Sequence, residues 1–476
     1  MSDNSKNLSS TKDLKRVLGF WDLMAVGIGS IIGSGIMSLT GWGIDETGRS
    51  VCIAFVIGGI IAVLARSPQI FLNSVARFRG GDYSMVGTFL GPRWTGTYSM
   101  IALLTSVTLC MYALSFADYA MPFLPNVSRK VIALSILTIL FITNTFGINA
   151  FSKIQNAAVI VLVISLTAFT AVGLTKLDGN YFEPTQFMTH GAVGLWQASV
   201  LMSYTCDGAQ YVTQMSGEAK NPTRDIPRVM LFSTLGVSVF YGLIGVVASG
   251  VLPVDQVAGQ PMTVVAQAIL SKPLYYLFCI GGGWMALLTT LNSSIATCTK
   301  PLMQACNDGW YPRSLARLHP KYRTPLILLG FYYVVGFVPI AFGIDIDIIS
   351  NITITVGAIT KTMIVLCLWN MPKVLPEAWN KSNFHISNGA LKALCIVDLL
   401  VIVVSGVTSS FELPSAPAAW QPWRCGLCLP LRQHSLQERQ GPGRGELRVV
   451  LIFPDRYLFH VQHPGKQTVH VYRYTM

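Results

Sequence analysis

"AVGIGSIIGSGIM", Ala25 to Met37, lies inside the first apolar run of the chain and holds Gly27, Gly29, Gly33 and Gly35, with Ser30 and Ser34 among them. Each glycine costs a helix interior about 1 kcal/mol relative to alanine. A continuous helix is therefore weakest at the middle of this run. Two readings compete. Gly29 and Gly33 form a small-x-x-x-small face that lets helices touch. Alternatively the helix breaks here, and the freed N–H and C=O groups, costly in hydrocarbon, bind something.

The surrounding 476 residues are 52% hydrophobic and only 12% charged, with a mean hydropathy of +0.51. A soluble domain carries about twice that charged fraction. The deficit, repeated in long apolar runs, specifies a polytopic membrane protein. Runs of spanning length fall near 20–40, 50–72, 95–121, 129–148, 155–175, 192–212, 229–252, 274–299, 325–343, 346–370 and 391–411. They make about eleven spans in a core of residues 17–411, after an N-terminal arm of residues 1–16 and before a tail of residues 412–476.

The formal net charge of +12 sits largely in loops. Lys6, Lys12, Lys15 and Arg16 mark the arm; Arg77, Arg79 and Arg93 follow the second span; Lys220, Arg224 and Arg228 the sixth; Arg313, Arg317, Lys321 and Arg323 the eighth. These loops alternate with poorer ones, which places the arm and the basic loops in the cytoplasm. No basic patch is interleaved with aromatics, so the charge reads as facing anionic lipid rather than nucleic acid. Eight of the ten cysteines lie in apolar segments and act as small hydrophobes. The tail is a different material. It is rich in Pro and Arg, carries His434, His460, His463 and His470, and has a Cys425-x-x-Cys428 pair with no second pair beside it. It is expected to be a frameshift or fusion, with a short strand or two near its end.

A second run is interrupted as well: "LMSYTCDGAQYVTQMSGEAKNP", Leu201 to Pro222, places Asp207 and Gly208 in mid-span. A matched pair of interrupted spans points to a midplane site in inverted-repeat transporters. A new half-helix N-terminus suits a carboxylate, and freed carbonyls suit an ammonium group or a cation. A zwitterion matches both. Asp207 has three readings: a cap on the second half-helix, a partner for an amine-bearing substrate, or a proton carrier. Arg66, within the second span, is expected to snorkel or to meet a lipid phosphate. Asp118 reads as an end-of-helix residue at the interface, Trp284 as core and Trp310 as interfacial. Thr289, Thr290, Ser293 and Ser294 cluster in the eighth span, where hydroxyls back-bond within the helix or glue helices together.

Four segments carry a resemblance. "GIGSIIGSGI" resembles the first-helix signature of the amino acid–polyamine–organocation permeases, and "GGDYSMVGTFLGPRW" their segment between helices two and three. "SGEAKNPTRDIPRVM" resembles their loop after helix six, and "LNSSIATCTKPLMQACNDGWYPRSLARLHPKYRTP" their stretch from helix eight onward. The matches run in order over roughly residues 15–411. The resemblance implies an all-α, LeuT-type fold of two inverted five-helix repeats, with helices one and six broken. It implies that Ser34 and Gly35 offer backbone N–H groups, and Ser34 its hydroxyl, to a substrate carboxylate; the glycine density adds Gly33 to that unwound turn. Ser30 and Ile31 would offer carbonyls to the amino group. Tyr204 would cover the substrate side chain, and Cys206, Asp207 and Gly208 would be the unwound residues of the second break. In LeuT-type sodium symporters, helix-eight hydroxyls ligate sodium, the role that would fall to Thr289, Thr290 and Ser293. The chain departs from the pattern in three places. Asn73 stands where a carboxylate is frequent. The fifth span, "NAAVIVLVISLTAF", lacks the lysine of some proton-coupled members, Lys153 lying before it. The odd tail replaces a twelfth span.

Membrane-enzyme chemistry has no support: no H-E-x-x-H and no His/Asp cluster occurs in the spans. No G-x-x-x-x-G-K-[ST] signals an ATP-driven pump, and no repeated pore motif signals a channel. The expectation is a secondary transporter of amino acids or related amines, working by alternating access in the cell membrane. An exchanger is the alternative to a symporter, and a membrane scaffold or sensor the remote one. The partners expected are the substrate and membrane lipids, with no nucleic acid, no metal and no cofactor; the coupling ion is H+ or Na+.

Overall fold

The structure, a computed structural model, describes residues 14–124, 126–344 and 346–411 and the short segments 450–452, 457–460 and 470–473. The side chains of Ser34, of 345–355 and of 403 onward, the expected boundary at 412, and Cys425 and Cys428 lie outside the described residues. The chain divides into two units, Met1–Leu427 and Cys428–Met476. The second holds three short antiparallel strands, β1 (Val450–Ile452), β2 (Tyr457–His460) and β3 (His470–Arg473), in that order, one more than the tail's sequence suggested.

Helices build the first unit. The opening run forms α1 (Phe20–Ile31) and α2 (Ser34–Thr47), separated at Ile32 and Gly33. There follow α3 (Val51–Val75), α4 (Asp82–Leu90), α5 (Pro92–Thr105), α6 (Thr108–Ala120), α7 (Arg129–Thr145) and α8 (Ile148–Leu174). The second interrupted run gives α9 (Gly191–Thr205) and the single turn α10 (Tyr211–Gln214). Then come α11 (Pro222–Gly250), α12 (Met285–Asn307), α13 (Leu326–Phe342), α14 (Ile346–Val374) and α15 (Asn388–Phe411). Among the described residues, five stretches are helical and apolar over a length that crosses a membrane: Gly35–Val75, Pro92–Phe123, Ile148–Leu174, Pro222–Gly250 and Lys272–Asn307.

Apolar side chains gather in two clusters. One joins α1–α3, α8, α9 and α11 through residues such as Leu23, Phe55, Leu162, Met202, Val229 and Tyr241. The other joins α4–α7 and α12–α15 through Tyr83, Ala113, Leu137, Leu291, Tyr332 and Leu368. Side chains on the outer faces, among them Ile60, Ile139, Ile160 and Val239, stay exposed, as lipid-facing positions do.

The ends of the bundle are fastened by charge. Arg49, fully buried, donates to the Asn180 carbonyl at 2.7 Å and to Asp178 at 2.8 Å, with its guanidinium over the Tyr181 ring. That hydrogen bond holds the Asp178 carboxyl below its ordinary range. Asp118 pairs with Arg129 where α6 ends and α7 begins, as an interfacial pair. At the basic-loop end, the chain before α1 pairs with the loop after α10: Leu18 N–H donates to the Glu218 carbonyl, and Lys220 N–H to the Leu18 carbonyl. Arg77 donates to the Ser216 and Gly217 carbonyls of the same loop. Beneath it Lys300 of α12 meets Glu218 at 2.6 Å, both buried. The pair borders a small pocket whose described lining includes Lys15, Asn144 and Arg323 but no residue of either break.

Removing one member of a buried pair strands the other, at a cost of about 3–5 kcal/mol; replacing both with apolar groups costs far less. Lys300→Met should therefore lower the melting temperature in detergent more than Lys300→Met combined with Glu218→Met. A double variant that melts no higher than the single one would show that the pair is not the fastening.

Candidate functional site

The two breaks lie against each other. At the first, Ile32 and Gly33 are extended (Gly33 φ −124°, ψ −157°), and α2 restarts with no side-chain cap. Its first N–H groups, at Ser34 and Gly35, consequently have no helical partner. At the second, α9 stops at Thr205, Asp207 N–H bonds the Tyr204 carbonyl, and Gly208 takes φ +153°. A Cβ at Gly208 would collide with the backbone of Ser30 and Ile31, and one at Gly35 would stand 3.3 Å from the Thr205 side chain. Each break thus packs on the other, and glycine is what allows the approach. Gly29 is equally enclosed, by Gln155, Val159 and Thr289, whereas a Cβ at Gly33 would meet Thr290 Oγ1 at 3.5 Å and the Ile31 carbonyl oxygen at 4.0 Å, both ordinary contacts. The tight positions are Gly29 and Gly208; Gly33 has room around it.

The predicted site residues fall as follows. Ser30 is buried and its hydroxyl donates back to the Val26 carbonyl at 2.6 Å. The Ile31 carbonyl accepts from the Tyr241 hydroxyl of α11 at 3.4 Å. The Ser34 side chain lies outside the described residues. Tyr204, at the end of α9, is 41% exposed, and Cys206 is wholly buried with its sulfur toward the Phe55 carbonyl. Thr289 and Thr290 of α12 both donate to the Gly29 carbonyl, at 2.8 and 3.2 Å, and also back-bond within their own helix. Ser293 Oγ is buried with no hydrogen-bond partner among the described residues. Among the described residues no three His, Cys, Asp or Glu side chains gather as a metal site. The oxygen-rich place is the Gly29 carbonyl beside the α12 hydroxyls, a donor set suited to a hard monovalent cation rather than a transition metal.

Arg66 corrects the sequence reading. It neither snorkels nor meets lipid: it turns inward from α3 and grips Asp207 with both arms of its guanidinium, Nε to Oδ1 at 2.6 Å and Nη2 to Oδ2. Both side chains are largely buried. Snorkelling fails because a fixed anion 141 residues away offers a two-point match, which outweighs a long reach to water. Asp207 Oδ1 also accepts the Gly208 N–H at 3.0 Å. That N–H precedes α10, whose N-cap is Gln210 with no side-chain cap bond, so Asp207 serves the salt bridge and does not cap the second half-helix.

Further residues belong to this neighbourhood, of which the sequence had marked only Asn73. Asp82, first residue of α4, receives the Gln69 amide on both carboxylate oxygens at 3.0 Å. Asn73, at the position where a carboxylate was awaited, donates to Thr213 Oγ1 at 3.1 Å and ties α3 to α10. Lys361 of α14 lies within electrostatic reach of Arg66 and Asp207. On the other side of the first break runs a chain of buried amides: Asn144 donates to Asn292 at 2.9 Å, Asn292 to Gln155 at 3.0 Å, and Gln155 to the Ala25 carbonyl at 3.4 Å. Lys153, by contrast, is exposed.

Comparison with known proteins gives a consistent picture. The family model described as amino acid permease matches residues 18–423. The branched-chain amino acid permease BcaP of Bacillus subtilis is 27% identical over 351 residues, covering 68% of this chain and 74% of that protein. The methylthioribose transporter of Bacillus subtilis is 23% identical over 339 residues, 67% and 73% of the two chains. Cationic amino acid transporter 1 of Arabidopsis thaliana is 24% identical over 336 residues, 66% of this chain and 54% of its own.

The packing of the breaks yields a test by substitution. Gly208→Val adds a side chain at φ +153° against the Ser30–Ile31 backbone. The strain and overpacking together should cost about 2–5 kcal/mol. Gly33→Ala, with open space beside it, should cost about 1 kcal/mol or less. Thermal melting of the two purified variants checks the order; a Gly33→Ala variant less stable than Gly208→Val would refute the packing of break on break.

Proposed function

The chain belongs to the amino acid permease family of the amino acid–polyamine–organocation superfamily, and from that membership and the two facing breaks we propose that it is a secondary transporter carrying amino acids across the cell membrane by alternating access. One observation carries the reading: two interrupted helices meet at their interruptions, which leaves N–H groups at the start of α2 and carbonyls at the end of α1 at one place. The substrate carboxylate binds the N–H groups of Ser34 and Gly35, where the α2 dipole favours an anion. The amino group binds the carbonyls of Ser30 and Ile31, and Tyr204 covers the side chain. Cys206, Asp207 and Gly208 shape the opposite wall.

The arrangement is that of two inverted repeats. The first would be α1–α8 and the second α9–α14, each opened by a broken helix. Positive charge in the alternate loops supports a cytoplasmic N-terminus. Coupling is to H+ or Na+. The Gly29 carbonyl with Thr289, Thr290 and the unpartnered Ser293 hydroxyl supports sodium, since hydroxyl rotation would turn lone pairs toward an ion at that point. The permease family match and the transporter relatives support transport without catalysis.

Uptake of labelled amino acids into proteoliposomes tests the proposal. Wild type should accumulate label, and Gly35→Leu, which drives a side chain into Thr205 and over the α2 N–H groups, should lose about tenfold or more of the uptake while inserting normally. Loading the vesicles with unlabelled substrate should accelerate an exchanger and leave a symporter's requirement for an ion gradient. A sodium gradient without effect on wild type removes sodium as the coupling ion. Vesicles that take up no amino acid under any gradient would refute transport and favour a scaffold or sensor.

A further inference from the structure

Lys361 sits in the middle of α14, with several features that together give it a task. On a helical wheel it shares a face with Ile364, Val365 and Leu368, all buried. Ile359, which is 47% exposed, lies on the opposite, outward face. Lys361 therefore points into the protein, yet it is exposed, and one turn before it on the same face a Cβ at Gly357 would meet nothing within 4 Å. The ammonium faces an open interior space, not lipid. α14 packs against α3, the helix that carries Arg66, and against α4 and α6, and Lys361 lies within electrostatic reach of Arg66 and Asp207.

The charges around it are already assigned. Asp207 is gripped at two points by Arg66. Asp82, the other carboxylate within reach of Arg66, has both oxygens on Gln69 and begins a helix, where the backbone favours an anion. Around Asp207 stand phenols: Tyr112 and Tyr211, hydroxyl to hydroxyl at 3.3 Å, with Tyr204 near them. No hydrogen bond holds the Lys361 ammonium among the described residues. A cation in low dielectric without an anion is costly, and a cationic substrate would have to compete with Arg66 for the one carboxylate of the break.

The geometry points to Lys361 as the specificity residue for a second carboxylate: the transporter accepts amino acids with an anionic side chain, such as glutamate and aspartate, in preference to cationic ones. The inference rests on the transport reading above. The main-chain carboxylate occupies the start of α2, and the side-chain carboxylate extends past Gly208 toward Lys361. Asp207, held by Arg66, serves as wall and not as receptor. This separates the chain from relatives whose names refer to cationic amino acids.

Competition in proteoliposomes distinguishes the possibilities. Labelled leucine uptake by wild type should be inhibited by excess glutamate or aspartate and not by arginine or lysine. The ratio of glutamate to leucine affinity should fall about tenfold or more in Lys361→Met, the order expected for one lost charge-assisted hydrogen bond, and stay within about threefold in Lys361→Arg. Ligand-induced thermal stabilisation of the purified variants gives the same ratio without transport. Arginine inhibiting better than glutamate in wild type would overturn the inference while leaving transport intact. So would an unchanged ratio in Lys361→Met with all substrates weakened together, which would make Lys361 a packing residue. A wild type that moves none of these compounds fails the transport reading itself, and this inference with it.

Discussion

A backbone amide in hydrocarbon must find a partner, and a helix that breaks in mid-membrane creates several groups without one. That constraint organises the structure. The breaks are placed where each covers the other, Gly208 against Ser30 and Ile31 and Gly35 against Thr205. Side chains from two further helices reach the freed carbonyls, Thr289 and Thr290 of α12 to Gly29 and Tyr241 of α11 to Ile31, and Gln155 of α8 adds a bond to the Ala25 carbonyl within α1. The glycines are then no defect of the helix. A side chain at Gly29 or Gly208 would hold the backbones apart and leave those carbonyls without their donors.

The two sides of the breaks are satisfied by different means. Around α1, the partners are neutral: amides in series through Asn144, Asn292 and Gln155, and hydroxyls of α12. Around the second break they are ionic, Arg66 on Asp207 with Asp82 and Lys361 close by. Neutral hydrogen bonds exchange partners at modest cost, about 1 kcal/mol each. Separating a buried ion pair costs several times that. The α1 side is accordingly the one that can rearrange its hydrogen bonds around a ligand, and the α3–α9 side is the fixed wall.

Much of this was readable in the sequence, for definite reasons. The two interruptions stood out because glycine and an ionisable residue each disturb an apolar run locally, within a window the eye can scan. Helices lie over every apolar run, and Asp118, Trp284 and Trp310 sit where composition placed them: Asp118 at a helix end, Trp284 packed on Phe116 and Phe123, Trp310 exposed. What escaped was pairwise and distant. Arg66 and Asp207 are each odd in their own span, but nothing local says that they are a pair. Lys361 looked like one more residue of a spanning helix, because its direction depends on which face of α14 is packed. Asn144, Asn292 and Gln155 are unremarked amides until three helices bring them into line.

The amide chain also bears on the missing lysine of the fifth span. A cation there would stand beside the first break and would have to be neutralised or hydrogen-bonded whenever the site is empty. Gln155 instead reaches the Ala25 carbonyl while its own oxygen is held by Asn292, so α8 supports α1 without adding a charge. Near the breaks, the positive charges among the described residues are Arg66 of α3 and Lys361 of α14, across the second break rather than behind the first. An arriving zwitterion would then meet its carbonyls on a neutral side and its electrostatic selection on the other. Affinity for the shared amino acid group and discrimination among side chains would reside in different walls, and a substitution in one wall would change one of them while largely sparing the other.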